Sequence, residues 1–119
     1  MKLHPKAIFL GLITDLVLSF VVGPLELWVI GVPPNSLYLF HWSLFLGLLG
    51  TAIGGYVTAK QSKSSKLFNA AIFGAIEVFL SLVAAIYLPL PLWFNLTSCI
   101  LIIPASLIGA YAALPRREN

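Results

Sequence analysis

Two acidic residues stand where side chains suited to lipid are expected. Asp15 lies within "LGLITDLVLSFVV" and Glu77 within "FGAIEVFLSLVAA". An ionised carboxylate deep in hydrocarbon is costly, so each group has to be protonated, face water or hold a partner. No Lys or Arg interrupts any apolar run of this chain. The partners left are protons, metal cations, hydroxyl and amide side chains, and water. Ser19 and Ser81 each follow an acid by four positions, the spacing that keeps two residues on one side of a helix, and Thr14 adds a further hydroxyl. Two carboxyls at matched depth can share one proton and so bind and release H⁺ or a small cation. The same residues, kept neutral, would serve only as hydrogen-bonded glue between helices.

The elements that must position these acids follow from composition. Of 119 residues, 60% are hydrophobic and only 9% are charged, which is outside the range of soluble domains. Apolar stretches over 7–30, 41–60, 67–88 and 92–114 are each near the roughly 20 residues that cross a bilayer core as a helix. Between them lie "GVPPNS", "KQSKSSK" and "LPLPL", all polar or turn-forming. The expectation is an all-α polytopic membrane protein, a single four-helix transmembrane domain over 1–119. The first run is too long for a secretion signal and lacks its cleavage pattern.

The basic residues orient the chain. Lys2 and Lys6 precede the first run, Lys60, Lys63 and Lys66 flank the middle loop, and Arg116 and Arg117 follow the fourth run. Four crossings put all seven on one face, which the positive-inside rule makes cytoplasmic, with both termini on the cytoplasmic side of a bacterial inner membrane. The net charge of +3 then marks topology and contact with the lipid bilayer, not nucleic-acid binding. Trp28, Tyr38, Trp42, Tyr87 and Trp93 fall at the opposite level, as an interfacial aromatic belt would. Counting at 1.5 Å per residue, Asp15 is about 13 Å beyond Lys6 and Glu77 about 16 Å beyond Lys66, both near the midplane. Glu26, about 30 Å from Lys6, is expected at the outer interface with its charge in water.

Helical spacing gives each run a small or polar stripe. The first collects Gly11, Asp15, Ser19 and Glu26, and the second Ser43, Gly47, Thr51, Gly54 and Thr58. The third collects Ala70, Gly74, Glu77, Ser81 and Ala84, and the fourth Asn95, Ser98, Ala105, Gly109 and Ala113. Such stripes let helix backbones approach, and Gly47, Gly50, Gly54, Gly55, Ala105 and Gly109 are the expected packing positions. They also suit a homo-oligomer or contact with other membrane subunits. Pro24 and Pro104 are expected bends in the first and fourth helices. Laying 13–22 over 75–84 pairs Asp15 with Glu77 and Ser19 with Ser81, and laying 51–59 over 106–114 pairs Gly54 with Gly109. The match is either a duplicated two-helix hairpin or the chance agreement of apolar strings.

The "G-x-x-x-D" first helix, the "GGYVTAK" of the second and the terminal "GAYAALPRR" resemble a group of small, functionally unassigned bacterial four-helix inner-membrane proteins. That resemblance implies fold and compartment and no reaction. "AIEVF" is also similar to a string of the small multidrug resistance transporters. Their membrane-embedded glutamate belongs to the first helix and Glu77 to the third, so that mechanism is not carried over.

Enzyme chemistry finds no motif. His4 and His41 have no second His, Cys or acid at metal-ligand spacing, and no phosphate loop, nucleophile elbow or zinc pattern occurs. Cys99 is a lone cysteine within the fourth run, expected as a small buried residue. No cofactor or metal is expected. Two functions remain: a proton-coupled or cation-conducting transport protein using Asp15, Glu77, Ser19 and Ser81, or a non-transporting accessory or assembly subunit of a larger membrane complex.

Overall fold

The structure, a computed structural model, describes residues 2–31, 37–88 and 90–115. Parts of the first and third loops, and Arg116 and Arg117 of the expected basic face, lie outside the described residues. Helix α1 spans Pro5–Pro24 and runs on into a π-helical segment, Leu25–Ile30; α2 spans Leu37–Gln61, α3 Lys66–Tyr87 and α4 Leu92–Ala112. All four are long and apolar enough to cross a membrane. The first helix begins at Pro5, earlier than the apolar run, because proline's fixed φ and missing N–H suit a first helical turn. At the other end of that segment Gly31, at φ +79°, takes the left-handed conformation that stops the wide turn. Pro104 lies inside α4, which remains one helix across it.

The packing is inverted relative to a soluble protein. Phe9, Phe20, Trp28, Ile86, Tyr87 and Ile108 are exposed, whereas the buried positions include Asp15, Glu26, Thr51, Thr58, Asn69 and Ser106. For helices set in lipid, whose tails are as apolar as leucine, little is gained by turning leucine inward, and close backbone approach and hydrogen bonds would hold them instead. Helix α2 is central and packs on α1, α3 and α4, while α1 and α4 do not meet among the described residues. A side chain begun at Gly109 would overlap the Ala52 carbonyl, and one at Gly55 the backbone of Ser106, so these two glycines permit the α2–α4 crossing. At the α1–α2 crossing, Gly11 faces Gly54 and Thr58 in the same way, with the ring of Phe73 closing over both glycines from α3. The Ser106 hydroxyl donates to the Ala70 carbonyl at 2.7 Å and ties α4 to α3.

One end of the bundle is fastened by polar groups. Asn69, wholly buried, accepts the His4 N–H at 2.7 Å, and its amide donates to the carbonyls of Lys2 at 3.0 Å and Ser65 at 2.9 Å. The Lys66 ammonium donates to the carbonyls of Ala59 and Ser62, the open end of α2, at 2.9 and 2.7 Å. Ser65, at φ +50°, makes the turn that reverses the chain between them. Ala59, Ala70 and Ala110 pack together here, so the start of α1, the α2–α3 turn and the end of α4 share this end. Lys2, Lys6, Lys60, Lys63 and Lys66 all belong to it.

Candidate functional site

Asp15 is carried by α1 on the turn after Gly11, where α1 and α2 come closest. Gly50 lies opposite on α2, and a side chain begun there would stand 2.8 Å from the Asp15 carboxylate. The absent Cβ of Gly50 is therefore what lets the acid turn inward, and Asp15 is only 7% exposed. From α3, Glu77 brings its carboxyl beside that of Asp15. Two carboxyls side by side can share one proton, since a hydrogen bond between them requires that one be protonated. The buried Thr51 hydroxyl is within reach of both the Asp15 carboxyl and the Gly47 carbonyl, the latter at 3.1 Å. Its single hydrogen serves one of them at a time.

The pair borders a cavity of about 880 Å³ to which all four helices contribute. Asp15 and Ser19 line it from α1, Ser43, Gly47 and Thr51 from α2, Glu77 and Ser81 from α3, and Ser98 from α4. Its remaining wall is apolar, with Leu12, Leu44, Leu80 and Phe94 among the lining residues. The contacts of α1 with α3 gather toward the lysine end, at Asn69, Phe73 and Glu77. From Glu77 onward the lining of α3 runs through Ala84 toward Leu88, while on α1 it extends to both sides of Asp15, from Phe9 to Ser19. At the Leu88 end Phe40, Trp93 and Phe94 stack edge to face, with ring centroids 6.0 to 6.4 Å apart, and His41 lies against Trp93 at 5.0 Å.

Of the four residues expected at the site, Asp15 and Glu77 meet and Ser81 lines the same cavity. Ser19 lines it too, but from an exposed position. Its hydroxyl donates to the backbone carbonyl of Asp15 at 2.8 Å. A step of four residues advances about 40° around a helix, and Ser19 leans away from α2 by that angle while Gly11 leans toward it. Thr14 likewise bonds back to the Leu10 carbonyl. Gly47 also departs from expectation: no atom comes within 4 Å of a side chain begun there, so it borders the cavity and is not a point of close approach. Ala105 is half-buried, and on α4 it is Ser106, one position on, that sits wholly inside beside Gly109.

Glu26 requires a larger correction. It is 3% exposed, not solvated at an interface, and the Ser43 hydroxyl lies 3.0 and 3.1 Å from its two carboxylate oxygens. Eleven residues beyond Asp15 return to within about 20° of the same helix face, so α1 turns Glu26 inward although its depth suggested the surface. Among the described residues no group of three or more His, Cys, Asp or Glu is placed to hold a metal ion.

No family model, curated protein or solved structure matches this chain.

Proposed function

We propose that this chain is a small proton-coupled or cation-conducting transport protein whose titrating site is the Asp15–Glu77 pair. The observation that carries the reading is the contact of two carboxyls from different helices at the edge of a cavity lined by all four. Interhelical glue needs one donor and one acceptor, which a serine supplies at far lower cost, as Ser106 does between α4 and α3. Two acids with a shared proton add the capacity to gain or lose charge, and an adjoining space gives that charge somewhere to go.

The setting proposed with it is a bacterial inner membrane with the lysine end cytoplasmic, supported by all five lysines falling at one end of four apolar helices. The two halves are proposed as repeated hairpins, with Asp15 and Glu77 as matched positions, and the exposed apolar faces suit a homo-oligomer. The family proposed from the sequence motifs adds compartment and fold to this reading and no cargo.

The test is proton flux into proteoliposomes under an imposed membrane potential. Wild type should conduct, and the double variant Asp15→Asn, Glu77→Gln, folded to the same helix content, should not. Equal flux through both proteins would remove the pair from the pathway. No flux through either would remove the uncoupled-channel reading and favour the accessory subunit.

A further inference from the structure

Ser43 lines the cavity, and its hydroxyl reaches another buried acid, Glu26, which is not itself among the lining residues. Ser43, Gly47 and Thr51 follow at intervals of four along α2, and all three line the cavity. Thr51 reaches Asp15; Ser43, eight residues or about 12 Å along the helix, holds Glu26. Gly47 stands between them with open space where its side chain would begin. Ser81 from α3 and Ser98 from α4 face the same interval. The serine hydroxyl carries one hydrogen, whereas a carboxylate accepts at about four positions, so Ser43 satisfies a minor share of what Glu26 can take. A buried acid costs more than a neutral residue in its place and contributes nothing to helix packing that the neutral residue would not. Glu26 also stands at the opening of a π-helical turn, a rare element that widens the helix and is frequent at functional sites.

We propose that Glu26, held by Ser43, is the outer station of a cation path whose inner station is the Asp15–Glu77 pair, with the cavity beside Gly47 as the watered stretch between them. The proposal rests on the transport reading above and extends it by one acid and a direction. The polar groups along the interval are neutral hydroxyls and the groups at its ends are acids, so the path suits a proton or a small hydrated cation and rejects anions.

The experiment asks whether water and the charge of Glu26 reach Gly47. In a Cys99→Ala background in proteoliposomes, Gly47→Cys is treated with a cationic and with an anionic water-soluble methanethiosulfonate, and the two modification rates are compared. Phe20→Cys, on the exposed apolar face, is the control for a site that meets only lipid. Gly47→Cys should react while Phe20→Cys does not. The cationic reagent should be faster by roughly tenfold, as expected when a carboxylate acts along a narrow low-dielectric cleft. Adding Glu26→Gln should lower the ratio, the remainder belonging to the Asp15–Glu77 pair, and Glu26→Asp should restore it, which separates loss of charge from loss of fold. An unreactive Gly47→Cys, or a ratio that Glu26→Gln leaves unchanged, overturns the proposal. Failure of the transport reading is recognised separately, as a charge-selective Gly47→Cys in a protein without acid-dependent flux.

Discussion

The two ends of this bundle are built from the same kinds of residue and come out differently. At the lysine end and through the middle, glycines at positions 11, 54, 55 and 109 each face a neighbouring helix so closely that a Cβ would collide with it. Toward the far end Gly23 and Gly47 face nothing within 4 Å. Buried polar side chains divide likewise. Asn69 and Ser106 are engaged by backbone groups of other segments, whereas Asp15, Glu77 and Ser43 border a cavity. A small-residue stripe therefore has no fixed meaning; it closes a bundle where it is met by another backbone and opens one where it is not.

Substitutions can break or sharpen that contrast, each read as thermal stability of detergent-purified protein. Gly109→Leu has the largest expected effect, because its side chain would run into the Ala52 backbone and force α2 from α4; a loss beyond about 3 kcal/mol, or no folded protein, is expected. Asn69→Ala removes several hydrogen bonds and leaves buried backbone groups without their partner, for a loss of about 2 kcal/mol. Ser106→Ala deletes a single interhelical bond and should cost about 1 kcal/mol or less. Gly47→Ala should be neutral within about 0.5 kcal/mol, since a methyl group there meets open space. If Gly47→Ala were as damaging as Gly109→Leu, the distinction between a closed and an open end would be wrong.

How much of this was legible in the chain varies by residue. The four helices follow from run length and composition, which act locally. The inward faces of Asp15 and Glu77 also follow, since Gly11, Gly74 and Ala70 share them. Their contact does not, because a helical wheel gives a residue's side on its own helix and is silent about which helix it meets. Glu26 was misjudged for a related reason. Depth along the axis suggests water, and its partner Ser43 is seventeen residues away on the next helix. The sign of Asn69 in the sequence is slight, an amide next to Ala70 on an inward stripe beside a polar loop. Ser106 was lost to a shift of one position, since the crossing with α2 rotates the buried face of α4 from Ala105 toward Ser106 and Ala110.

The fastening at Asn69 also sets an order of events during synthesis. Its partners Lys2 and His4 leave the ribosome more than sixty residues ahead of it. The first helical hairpin thus spends its early life with an untethered start, and its final depth is fixed only when the third helix arrives. A fusion partner joined directly at the first residue would crowd that late closure more than one joined beyond the fourth helix, whose end packs nearby but makes none of these hydrogen bonds. Accumulation of the two fusions in the membrane, compared side by side, should favour the second.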